Sequence, residues 1–159
     1  MWNGDTFIEA SKIVGPPILT AILVGFLANR WKFREDFVDK RIDNLFEEIK
    51  ELGEVCSAYW ELAPGSPDLK RNEAKISAGI ARINSTVAAL GPFLSRSAAN
   101  EISVSSSSFF RIATGGNFGV HNRPADISRS EQVLIQSAHF SVACRRARLK
   151  DLKGFLRRK

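Results

Sequence analysis

The seventeen residues IVGPPILTAILVGFLAN, Ile13 to Asn29, carry no charge, and the next five, Arg30-Trp-Lys-Phe-Arg34, carry three positive ones. Seventeen apolar residues lie at the short end of what crosses the hydrocarbon core of a bilayer, roughly 17–25 residues. The flanks argue against a buried core helix of the same length. Trp2 and Phe7 precede the run and Trp31 and Phe33 follow it, as rings do at two membrane–water interfaces. A cleaved secretory signal would place basic residues before the apolar run and a small-residue site after it, and neither pattern is present. The expectation is one N-terminal transmembrane helix within a first segment, residues 1–34.

Charge sets the expected orientation. Asp5 and Glu9 offset Lys12 on one side, while Arg30, Lys32 and Arg34 cluster on the other. The positive-inside rule then leaves the N-terminus outside and residues 30–159 in the cytoplasm, at the inner membrane in a bacterium. Pro16-Pro17 suits the first turn of a helix, where a missing N–H costs little. Residues 6–14 then read as a separate interfacial turn, because Glu9 and Lys12 are costly in hydrocarbon. Ala21, Gly25 and Asn29 recur every four residues. Such a stripe of small side chains lets neighbouring helices approach closely in lipid, and Asn29 can hydrogen-bond across, so a homo-oligomer is expected.

Beyond the basic flank the apolar residues alternate by four and three: Val38, Ile42, Leu45, Ile49, Leu52, Cys56, Tyr59. That is a helical seam. Phe46, Val55, Trp60 and Leu62 widen it beyond what one partner helix covers. The span and this helix are expected to run together for about 46 residues, roughly 70 Å, with Gly53 as the one candidate break before Ala63-Pro64-Gly65. Ser66-Pro67 opens a second helix with the seam Leu69, Ile76, Ile80, Ile83, Val87, Leu90, closed by Gly91-Pro92. A third is expected over Ser97–Ala113, against the poor helix propensity of its serines. A capping box, Ser128-x-x-Glu131, opens a fourth with the seam Ile135, Ala138, Val142, Leu149, Leu152, Leu156 and Arg145 in register. The fold class is therefore all-α: a transmembrane helix continuing into a cytoplasmic antiparallel four-helix bundle, residues 35–159.

The net charge of +6 is unevenly spread. Residues 35–62 hold nine acidic residues against three basic ones, whereas the tail carries Arg145, Arg146, Arg148, Lys150, Lys153, Arg157, Arg158 and Lys159 against Asp151 alone. In an antiparallel bundle this tail returns toward the bilayer, whose anionic lipids attract each Lys or Arg by about 1 kcal/mol. Membrane lipids and further copies of the chain are thus the first expected partners, with a protein partner next. RNA ranks behind them, because Phe155 is the tail's one ring for base stacking.

No catalytic constellation is legible, nor a cofactor or metal site. There is no phosphate-cradling loop with its lysine, no paired carboxylates in an apolar setting and no ligand spacing. Cys56 and Cys144 lie far apart in helical patterns and read as buried reduced thiols. An arginine–histidine ribonuclease pair is also disfavoured, since Arg111/His121 and Arg129/His139 each leave nine residues between. His139 reads as a structural or surface residue of helix four. The longest connection, 114–127, holds His121, Asn122 and Arg123 among glycines, and these read equally as a binding loop or as a plain linker.

A span at Ile13–Asn29, a basic flank at Arg30–Arg34 and a helical bundle together resemble the small accessory membrane proteins of bacterial antiviral systems, such as the membrane pore accessory proteins of CRISPR type VI-B. The resemblance covers the whole chain as architecture and carries no motif or functional residue across. It implies a homo-oligomeric, non-enzymatic effector whose short spans line or perturb the bilayer when activated, gated by the bundle. The rival expectation is a membrane-tethered scaffold or adaptor for a protein or RNA partner.

Overall fold

A computed structural model describes the backbone of residues 4–156 and the side chains of residues 21–30 and 32–149. All its regular elements are helices: α1 (Gly4–Glu61), α2 (Asp68–Leu90), a 3₁₀ turn (Gly91–Phe93), α3 (Arg96–Ala113) and α4 (Ile127–Leu156). The chain divides into two compact units, Met1–Asp39 and Lys40–Lys159, and α1 contributes to both.

In the first unit α1 is helical from Gly4 through Pro16-Pro17, so residues 6–14 are not the separate turn expected from sequence. Gly53 does not break α1 either. A Cβ at Gly53 would stand 3.0 Å from Ser137 Cβ on α4, so the glycine lets the two helices approach closely here.

The second unit is the expected bundle, and its contacts fix the topology. Ser57 meets Ser130, Gly53 faces Ser137, and the Arg145 guanidinium lies over the Phe46 ring, so α4 runs antiparallel to α1. Tyr59 bonds Glu73, Leu52 packs under Gly79, and Glu48 takes the Thr86 hydroxyl, so α2 is antiparallel to α1 as well. Helix α3 lies against α4 and α2. The Trp60 indole N–H reaches the Ala113 carbonyl at 3.0 Å, bringing the C-terminal ends of α1 and α3 together.

The α1 seam is buried as its period requires: Ile42, Leu45, Ile49, Leu52, Cys56, Tyr59 and Trp60 all face the core. From α2 come Leu69, Ile76, Ile83 and Leu90, with Ile80 and Val87 half-buried. From α3 come Ala98, Ile102 and Phe109. The serines of α3 do not prevent helix formation, because Ser106 and Ser107 both donate back to the Ser103 carbonyl and satisfy their hydroxyls locally.

Helix α4 departs from expectation. Its core face is Ser130, Val133, Phe140, Ala143, Cys144 and Ala147. The expected seam turns outward instead, with Ile135 53%, Val142 43% and Leu149 57% exposed. The capping box is not used either: Asp126, one residue before the helix, accepts the Arg129 N–H at 2.9 Å. At the other hairpin, Gly91 keeps a right-handed φ of −46° and leads into the 3₁₀ turn rather than a left-handed stop.

Candidate membrane and loop surfaces

Residues 21–30 of α1 are exposed on every side. Ile22, Leu23, Val24, Phe26 and Leu27 are each 54–64% exposed; at about 100° per residue they cover a little over half of the circumference, and the small residues Ala21, Gly25 and Ala28 carry the uncharged surface round the rest. A globular helix hides one stripe and wets the other; an all-round apolar helix needs an apolar medium or neighbours of the same kind. Ala21, Gly25 and Asn29 share one side of this surface, and a Cβ built on Gly25 meets nothing within 4 Å. Lys32, Arg34 and Phe33 are exposed beyond it, next to Arg30.

Among the described residues, no helix is long and apolar enough to cross a membrane. The run Ile13–Asn29 straddles the limit of description, since the side chains of Ile13–Thr20 lie outside it.

The loop 114–127 is pinned rather than loose, and Arg123 pins it. The last turn of any helix leaves carbonyls without intrahelical partners. In α1 one guanidinium reaches two of these: Arg123 donates from Nη1 to the Trp60 carbonyl at 3.4 Å and from Nη2 to the Tyr59 carbonyl, beside the backbone N–H groups of Asp126 and Leu62. The same group lies 4.2 Å from the Tyr59 ring centroid and 4.6 Å from that of Trp60. A cation at a helix C-terminus is also favoured by the helix dipole. Arg123 is 1% exposed, so it cannot meet a ligand from solvent, and its place in the candidate binding loop is corrected to an internal clamp.

Neighbouring bonds complete the junction. The Asp126 N–H donates to the Trp60 carbonyl at 2.8 Å, the Gly119 N–H to the Tyr59 hydroxyl at 3.0 Å, and the Gly65 N–H to the His121 carbonyl at 3.3 Å. Gly116, at φ +62°, supports the Arg129 guanidinium, which a Cβ there would approach to 2.9 Å. Arg129 in turn stacks over Trp60 and pairs with Asp126. A second polar cluster ties α1 to α4: the Ser57 and Ser130 hydroxyls share a hydrogen bond, and Ser130 donates to Glu61, each at 2.6 Å.

With the backbone held in this way, Val120, His121 and Asn122 stand exposed at the end of the bundle where α1 and α3 finish. Of the basic tail, Arg145 and Arg146 are exposed and Arg148 is half-buried. The side chains of Lys150, Lys153, Arg157, Arg158 and Lys159 lie outside the described residues.

Both cysteines are buried and free, and desolvation pushes the thiols of Cys56 and Cys144 up to about 12. At neutral pH they are protonated and unreactive. Among the described residues, no group of three His, Cys, Asp or Glu side chains gathers to hold a metal ion. No known protein family, characterised protein or solved structure matches this chain.

Proposed function

We propose that this chain is a single-pass membrane effector that acts as a homo-oligomer, its N-terminal run in the bilayer and its bundle in the cytoplasm. The observation that carries the reading is the uncharged, wholly exposed surface of Ala21–Ala28, large and apolar over more than half of its circumference and followed at once by Arg30, Lys32 and Arg34. This helix buries none of that surface against its own chain. Lipid removes the cost of exposing it, and the three cations hold its end at the inner face. Small residues at Ala21 and Gly25 support packing between spans. The resemblance to antiviral pore accessories supports membrane depolarisation as the output, with the bundle as the gate.

Topology tests the anchor. In the full chain, Asn3→Cys should react with a membrane-impermeant maleimide added to intact cells, and Asn122→Cys should not. Labelling of Asn122→Cys alone would reverse the orientation and remove the cytoplasmic bundle. The effector part is tested at Gly25. Gly25→Leu should weaken assembly and abolish ion leak on overexpression, while Gly25→Ala should be mild. A Gly25→Leu chain that still leaks would exclude this face as the packing surface.

A second reading, a tethered adaptor, has its own support in the loop 114–127. A pinned backbone presenting Val120, His121 and Asn122 to solvent costs little ordering entropy when a partner binds. Deletion of those three side chains would abolish adaptor activity and leave an ion leak intact.

A further inference from the structure

The outward seam of α4 is an amphipathic face turned away from its own core. Viewed down the helix, Ile127, Leu134, Ala138, Val142 and Leu149 lie on the side opposite Val133, Phe140 and Ala147, with Ile135 at its edge. Glu131 and Arg145 lie within the same stripe. On another side of the bundle, α1 and α2 leave a groove of about 330 Å³. Its floor is apolar, with Leu52, Val55, Ala78 and Gly79, and its rim carries Lys75, Arg82 and Glu51. We propose that the α4 ridge of one copy docks in the α1–α2 groove of the next, joining copies head to tail. This rests on the homo-oligomeric reading above and names the contact that reading lacks.

The heights of the two surfaces agree. Glu131 follows Ser130, which bonds Ser57 on α1. Lys75 sits between Glu73, level with Tyr59, and Gly79, level with Leu52. A copy displaced sideways at the same height therefore brings Glu131 to Lys75. It brings Leu134 and Ile135, one turn on, to Ala78, where the small side chain leaves the groove open. The fit is complementary in shape, with large aliphatic side chains over alanine and glycine. It is complementary in charge too, because Glu131 meets Lys75, which has no ion pair among the described residues, while Arg82 and Glu51 on the same rim pair with each other and Arg82 also with Glu48.

The alternative, α4 against α4, is weaker for copies that share a bilayer. Such copies point the same way, and parallel α4 helices would set Glu131 against Glu131 and Arg145 against Arg145. Ridge and groove lie on different sides of the molecule, so each copy can use both at once and the contact propagates.

The test uses the full chain in membranes with a short bismaleimide. Cys56 and Cys144, buried and protonated, do not compete. The double variant Lys75→Cys/Glu131→Cys should give a ladder of dimers, trimers and higher species. Either single variant should give none. Adding Ala78→Trp, which fills the groove from an exposed position, should remove the ladder without changing the circular dichroism spectrum. Absence of a ladder overturns the contact, and so does a ladder that survives Ala78→Trp. Dimers from Glu131→Cys alone, or from Arg145→Cys alone, would overturn it in favour of paired α4 helices. Alkaline washing of the same membranes decides the anchor separately: a chain that washes off but still ladders loses the anchor and keeps the contact.

Discussion

Arg123→Ala should destabilise the bundle by about 3 kcal/mol, the sum expected for two bonds from a charged donor to buried carbonyls. For a unit of this size that is on the order of 10 °C in midpoint, read by thermal circular dichroism of the solubilised chain. The loss has several parts. The carbonyls of Tyr59 and Trp60 lose their charged donor and keep only the Leu62 and Asp126 N–H groups, the two rings lose a cation beside them, and the clamp on the loop 114–127 disappears. Arg123→Met separates these parts. It fills most of the space and removes the cost of burying a charge, including an Nε without a partner, so it should cost less than alanine. Arg123→Lys keeps the charge but not the fork and should fall between wild type and alanine. An Arg123→Ala chain as stable as the wild type would mean that water replaces the guanidinium at the end of α1.

Ile22→Asp should have the largest effect on localisation. An acidic side chain near the middle of a membrane helix costs about 2.5–3.5 kcal/mol, roughly a hundredfold in the insertion equilibrium. A run of seventeen apolar residues has little in reserve against that cost. The variant should pass from the membrane pellet into the alkaline wash, while Ile135→Asp, the same change on α4, should stay in the pellet. Retention of Ile22→Asp in the pellet would show that the apolar run is not what holds the chain to the membrane.

Periodicity located the helices because each is long and carries a continuous apolar stripe. It placed Ile42 through Tyr59 on the core side because α1 has one such stripe in this unit. Helix α4 has two. The more hydrophobic one, Ile135, Val142 and Leu149, is the one a pattern selects, yet the core takes Ser130, Ala143, Cys144 and Ala147 around Phe140. Small side chains score low in hydropathy but are what the close approach at Gly53 and Ser137 demands. Which stripe faces inward is decided by the neighbour's shape, which lies outside the local pattern. Arg123 escaped detection for a related reason. An arginine among Gly, Asn and Pro reads as solvated, and its burial follows from carbonyls 63 and 64 positions earlier. The end of α1 announces a need for donors; nothing local says which residue will supply them.

The same separation orders the steps of synthesis. Once Leu90 has left the ribosome, α1 and α2 can pair, since Glu48, Glu51 and Tyr59 find Thr86, Arg82 and Glu73 within about forty residues. The last carbonyls of α1 still lack their clamp, and so does the hydroxyl of Tyr59, which waits for Gly119. Only once residue 123 has emerged can that end close, and α4 is then the last helix to be made. For the proposed membrane effector, the apolar run would thus be made well before the bundle can lock, so targeting would come first and folding would be completed at the bilayer surface.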